Sequence, residues 1–198
     1  YDPSELVKTQ NVIVVSINYR LGPFGWFRHP NITSNSENAE DQSGNYGNLD
    51  TVQALEWVQK NIGYFGGDAS NVTIFGESAG GYNVAALLSA KNAKGLFHKA
   101  IIQSGGIKPG DIDHSESYLE ENLPWKNYSS RELVNQLILN KGMATDRDSA
   151  KSLQEGMSHS EIEGLMRNAS SEEIFQAYLT TKINTNEMLR PFPDGFVL

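Results

Sequence analysis

Asn71-Val72-Thr73-Ile74-Phe75-Gly76-Glu77-Ser78-Ala79-Gly80-Gly81 is the stretch around which the rest of the chain falls into place. Val72 to Phe75 is a short apolar, β-branched and aromatic run, which suits a buried strand. Gly76 to Gly80 fits the pattern G-x-S-x-G, and Tyr82 to Ala90 is rich in Ala and Leu, which suits a helix. Strand, tight turn bearing a serine, then helix is the context of a nucleophile elbow. A serine at the tip of such a turn sits in a strained backbone conformation with its hydroxyl exposed. Residues two positions to either side are expected to be glycine, because side chains there would collide across the turn. The following helix points its positive end at the serine and favours a developing oxyanion. The plainer alternative is a small-residue turn that lets a helix pack on a sheet.

Working outward, Asn11 to Ile17 is a nearly continuous β-branched run and predicts a central parallel strand covered on both faces. Residues 18–27 hold two glycines, a proline and four aromatics, a turn-rich loop of the kind that carries ligand sites at the carboxyl ends of α/β strands. Its aromatics either wall a pocket or pack the loop onto the core. The polar run from Asn31 to Asn48 predicts an exposed loop. Leu49, Val52, Leu55, Trp57, Val58 and Ile62 are spaced for an amphipathic crossover helix, which Gly63, Gly66, Gly67 and Asp68 end. Lys99 to Gln103 is a further strand, closed by Ser104-Gly105-Gly106. Alternation of strands and helices predicts an α/β fold with a parallel sheet.

Beyond Pro109 the chain turns polar and helical in pattern, with no convincing strand to about Arg190. Helices are predicted over Ser130–Lys141, Asp146–Met157, Ser158–Arg167 and Ser170–Lys182. Ser129 or Ser130 caps the first, and Ser158 with Glu161 and Ser170 with Glu173 form capping boxes. The expected organisation is one domain: residues 1–109 as sheet core with the elbow, 110–190 as a helical insertion that covers apolar surface or shapes access, and 191–198 as a return to the core.

The chain has 198 residues, a formal charge of −8 and no cysteine. An acidic chain argues against nucleic acid as a partner. The missing cysteines exclude disulfides and thiolate metal sites, and no apolar run is long enough for a membrane span. Four Asn-x-Ser/Thr sequences, at Asn31, Asn71, Asn127 and Asn168, are about as many as chance supplies and carry no inference of glycosylation. No ligand cluster is present, so neither a metal nor an organic cofactor is expected.

Several segments together resemble the type-B carboxylesterase/lipase family of the α/β-hydrolase fold. They are Asn18-Tyr19-Arg20-Leu21-Gly22 with Gly25 and Phe27; Gly44-Asn45-Tyr46-Gly47 with Leu49-Asp50; and Ala54-Leu55 with Trp57-Val58-Gln59 and Asn61-Ile62. Phe65-Gly66-Gly67-Asp68, the run from Asn71 into the elbow, and Ala100-Ile101-Ile102-Gln103-Ser104-Gly105 complete the series over residues 11–106. Pro193-Asp194-Gly195 resembles a later landmark, whereas Gly47-Asn48-Leu49-Asp50 departs mildly from the family's Gly-Leu-Leu-Asp.

The resemblance implies that Ser78 is the nucleophile of an esterase acting on small-molecule carboxylic esters, with the backbone N–H of Ala79 as an oxyanion donor. It gives Glu77 an electrostatic role beside the nucleophile and has Ser104 orient the triad's acid. It also implies that the glycine-rich oxyanion loop lies before Asn11, and that the triad's acid and histidine lie past Leu198. On that reading none of His29, His98, His114 and His159 is the base, and the chain is an internal piece of a longer enzyme. The aromatics of residues 19–27 point to an uncharged, partly apolar substrate. An amidase or thioesterase, or a recognition protein on the same fold, remains as an alternative.

Overall fold

A computed structural model of the chain describes residues 2–33, 37–106, 109–118, 129–181 and 191–198. In chain order the elements are α1 (Ser4–Gln10), α2 (Gly22–Gly25), α3 (Pro30–Thr33), α4 (Ala39–Ser43), α5 (Tyr46–Asn61), β1 (Thr73–Glu77), α6 (Ala79–Ser89), β2 (Lys99–Gln103), α7 (Ile112–Glu116), α8 (Ser130–Asn140), α9 (Arg147–Gly156), α10 (His159–Arg167) and α11 (Ser171–Thr181). The chain forms two compact units, Tyr1–Arg20 with Asn48–Ile107, and Leu21–Gly47 with Lys108–Leu198. Asn127 and the predicted end of the last helix at Lys182 lie outside the described residues.

The first unit is built on a parallel pair, β1 with β2, in the register Thr73↔Lys99 through Glu77↔Gln103. Ile74 and Gly76 point inward on β1 while Thr73, Phe75 and Glu77 are exposed, the alternation expected of the pleat. β2 is exposed along its whole length. Helix α5 buries Val52, Leu55 and Val58, and Ile62 continues the stripe in a short 3₁₀ turn that ends at Gly66 with φ 80°. Trp57 falls off that stripe and is 44% exposed, its ring tilted against Phe65 at 5.9 Å.

Two sequence expectations fail. Residues 11–17 form no strand, and Val12, Ile13, Val15 and Ile17 are partly exposed. A β-branched run supplies the capacity to pair, but a strand also needs a neighbour, and none of the described residues offers one. The polar stretch 31–48 is not an exposed loop throughout: it contains α4 and the start of α5, and Ser43, Asn45 and Asn48 are buried. The polarity of Asn45 is satisfied inside the fold. Asn45 donates from Nδ2 to the Phe192 carbonyl at 2.8 Å and to Asp194 Oδ2 at 2.9 Å, and accepts from the Phe192 N–H at 3.2 Å. Asp194 Oδ1 in turn accepts the N–H groups of Phe196, Val197 and Leu198.

The second unit packs on α8. One side of that helix carries Val134 and Ile138 against Ala150 and Ile162. The other carries Leu133 and Leu137 against Ala177, with Phe27 and Tyr178 alongside. The cap signals locate the helices to within a residue. Ser129 accepts from the Glu132 N–H, Asp146 and Ser149 form a capping box, and Ser158 with Glu161 forms another. Ser170 and Glu173 bond each other's backbone N–H groups in the same reciprocal way. A buried polar chain crosses this unit. Gln154 donates from Nε2 to Asn135 Oδ1 at 2.7 Å, and its Oε1 lies 3.1 Å from Nε2 of His29.

Candidate active site

The strand β1 delivers the chain to Ser78, whose backbone lies at φ 52°, ψ −114°. This is a conformation for which a residue with a Cβ carries a cost of order 1–3 kcal/mol. Three contacts hold it there. The Ser78 N–H donates to the Gln103 carbonyl at 2.8 Å, which continues the β1–β2 ladder one step beyond Glu77↔Gln103. The Ser78 carbonyl accepts from the Tyr82 N–H at 3.1 Å, the first turn of α6. The backbone of Gly80 lies so close over β1 that a Cβ at Gly76 would sit 2.4 Å from its carbonyl carbon and oxygen.

The same crowding recurs one turn on, where a Cβ at Gly81 would lie 2.7 Å from the Cα of Gly105. The demand for glycine is therefore not symmetric about the serine. Gly76 is crowded, but a Cβ at Gly80 would meet nothing within 4 Å. The first turn of α6 inclines over the strand, so its own outward positions are open.

The resulting turn leaves the side chains of Glu77 and Ser78 exposed and Ala79 half-buried. Ala79 is the first residue of the 11-residue helix α6, and Ser78 makes no side-chain cap bond. Amides in the first turn of a helix have no intrahelical acceptor, so the Ala79 N–H and the positive end of the helix dipole stand beside the serine hydroxyl. Ser104 occupies the matching place after β2: it too is one step past the last ladder pair, exposed, with φ 51°. Ser78 and Ser104 thus leave adjacent parallel strands at the same height, both through left-handed backbone. The holding role of the Gln103 carbonyl was not read from the sequence; the Gln103-Ser104-Gly105 run after a strand was the available signal.

Nearby in the chain, Asp50 on α5 clamps the segment before α2. Its carboxylate accepts from the Arg20 backbone N–H and Nε at 2.8 Å each and from Nη2 at 2.7 Å. Burial pushes this carboxyl up, but the Arg20 bonds and charge outweigh it and hold it below its ordinary value. The sequence displayed both residues within shared motifs without revealing that they pair.

None of the histidines is brought to Ser78 within its unit. His98 accepts the Val72 N–H on Nδ1 at 3.2 Å, at the start of β1. That is roughly 20 Å of strand from Ser78 at about 3.3 Å per residue. His29, His114 and His159 belong to the second unit. His29 is fully buried and accepts the Asn31 N–H on Nδ1 at 3.2 Å, so its proton sits on Nε2 facing Gln154. Burial pulls its pKa down from 6.5 to about 4, with Gln154 opposing. Among the described residues, no helix is long and apolar enough to cross a membrane.

A parallel βαβ unit with a strained serine at the strand-to-helix turn is the arrangement of the α/β-hydrolase fold. The chain belongs to the carboxylesterase family, whose profile matches residues 1–195. It is 52% identical over 108 residues to the para-nitrobenzyl esterase of Bacillus subtilis, an alignment covering 54% of this chain and 21% of that protein. It is 48% identical over 116 residues to human cocaine esterase, covering 58% of this chain and 19% of the other. Among solved structures, the carboxylesterase EST55 of Geobacillus stearothermophilus superposes with a TM-score of 0.70 at 30% identity, over all of this chain and 34% of its own. A thermophilic para-nitrobenzyl esterase gives 0.61 at 33% identity, over 97% of this chain and 33% of its own. The chain therefore spans about a fifth of the length of the curated relatives and a third of the solved ones.

Proposed function

We propose that the whole protein hydrolyses carboxylic esters, with Ser78 as nucleophile. The observation that carries this reading is the strained φ of an exposed serine between β1 and the N-terminus of α6. The Ser78 oxygen attacks the ester carbonyl carbon, and the carbonyl oxygen becomes an oxyanion beside the Ala79 N–H. The alcohol leaves with a proton, forming an acyl-enzyme that water cleaves to the acid. Loss of one oxyanion donor of this kind costs about a hundred- to a thousandfold in rate.

Glu77 contributes negative charge next to the nucleophile. Ser104, one strand across at the same height, orients the triad's acid. That acid, the base and the remaining oxyanion donors come from parts of the protein beyond these 198 residues, consistent with the family relationship and with the absence of a histidine at the turn. The chain is then an internal part of one α/β-hydrolase domain, and the preferred ester is uncharged and partly apolar.

The test is labelling with a fluorophosphonate probe. Full-length protein is expected to react at Ser78, and Ser78→Ala to abolish the reaction. Undiminished labelling of the alanine variant overturns the assignment, and specific partner binding without any labelling would favour a recognition role.

A further inference from the structure

Ser104 leaves β2 at φ 51°, and a residue with a side chain keeps such a conformation only where its surroundings over-determine it. The β1–β2 ladder ends at Glu77↔Gln103, so the sheet alone does not place the Ser104-Gly105-Gly106 turn. Helix α6 does, at two successive residues. A Cβ at Gly105 would lie 2.6 Å from both the Cα and the carbonyl carbon of Gly81, so there backbone rests on backbone. A Cβ at Gly106 would lie 2.8 Å from Cε1, 2.9 Å from the hydroxyl oxygen and 3.0 Å from Cζ of Tyr82, so there the turn rests on a phenol ring.

Tyr82 also reaches the nucleophile. Its backbone N–H donates to the Ser78 carbonyl at 3.1 Å, while its side chain is half-buried. One residue is therefore bonded to the Ser78 peptide and packed against the turn that carries Ser104, all within the first unit. A ring of fixed shape in a close-packed contact passes any displacement on to what it touches. Its width thus sets the gap between the start of α6 and the residues that follow β2.

We infer that Tyr82 is a positioning residue, whose ring seats the Ser104-Gly105-Gly106 turn at a set distance from the Ser78 turn. The inference rests on the proposed reading of Ser78 as nucleophile and of Ser104 as the residue that orients the triad's acid. Removing the ring lets Ser104 drift, while the Tyr82 N–H, which every replacement but proline retains, still holds Ser78. Activation of Ser78 then weakens although the elbow persists.

The test is fluorophosphonate labelling of the full-length protein, read both as a second-order rate constant and as the final fraction labelled at Ser78. Tyr82→Ala is expected to label to the same final fraction as the parent but on the order of tenfold more slowly, short of the roughly hundredfold cost of a full 1 Å misplacement. Tyr82→Phe keeps the ring and should stay within about threefold of the parent, by the same distance argument. In a Ser104→Ala background, Tyr82→Ala should slow labelling no further, because residues that act through one another are not additive. The inference is overturned by parental rates in Tyr82→Ala, by a fall in its labelled fraction at an unchanged rate constant, by equal slowing in Tyr82→Phe, or by additive losses with Ser104→Ala. Failure of the underlying reading shows separately, as parent protein that does not label at Ser78, and takes the inference with it.

Discussion

Gly76→Ala isolates the geometry that presents Ser78. A Cβ at this position would lie 2.4 Å from the Gly80 carbonyl carbon and oxygen and 2.9 Å from its Cα. Ordinary carbon contacts are about 3.5–4.0 Å, so the first turn of α6 must withdraw by about 1 Å. Forcing an extra methyl into a packed contact costs typically about 1–3 kcal/mol. The larger effect is on reactivity, since a displacement of about 1 Å at a reacting group costs on the order of a hundredfold in rate. The control is Gly80→Ala, where the new methyl meets nothing within 4 Å and the helix gains roughly 0.5–1 kcal/mol in propensity. The assay is the second-order rate of fluorophosphonate labelling on full-length protein, with melting temperatures alongside. Gly76→Ala should label on the order of a hundredfold more slowly. Gly80→Ala should stay within about threefold of the parent, by the same distance argument. Near-parental labelling of Gly76→Ala, or equal damage from both substitutions, would refute the asymmetry.

Two further outcomes are expected. His29 is neutral in the fold with its pKa pulled down to about 4, against 6.5 ordinarily. The unfolded chain therefore takes up the proton first as pH falls, so this contribution is intact above pH 6.5 and fades on the way to pH 4. The loss reaches about 3 kcal/mol at pH 4; urea midpoints at pH 7, 5.5 and 4 should decline more steeply for the parent than for His29→Gln, and parallel declines would contradict the assignment. Asn45→Ala removes three bonds that tie residue 45 to Phe192 and Asp194 and should cost about 2–3 kcal/mol, because it strands buried backbone groups. Hydrogen exchange at Phe192 and Phe196–Leu198 should accelerate with it, and unchanged protection there would show that the clasp is incidental.

What could be read from the sequence follows the range over which each feature is determined. The caps at Ser129, Asp146, Ser158 and Ser170 are settled by residues three apart, so the helices they begin were legible to within a residue. The elbow is equally local, and its strand, serine and helix were all evident. Residues 11–17 were misjudged because pairing is a property of two segments, and the run displays only one of them. Residues 31–48 were misjudged because polarity was equated with exposure. Asn45 is polar because its partners are, and those partners stand far along the chain. His29 is similar: its burial depends on Gln154, 125 residues away. The asymmetry between Gly76 and Gly80 needed the tilt of α6 over β1, which a pentapeptide pattern cannot contain.

The clasp between Asn45 and Phe192 joins residues 147 positions apart, and the unit that contains it is interrupted by Asn48–Ile107, the larger segment of the other one. During synthesis at about 5–20 residues per second, Asn45 is made roughly 7–30 s before Phe192 exists to receive it. Over that interval α3, α4 and the buried polar side chains beside them lack the contacts that complete their unit, whereas β1, α6 and β2 are already complete as a neighbouring group. The elbow can therefore close on the ribosome ahead of the unit whose first segment precedes it. Contacts of such long separation are the slow ones to form, so the turn at Pro193-Asp194-Gly195 is where folding of this part of the chain finishes.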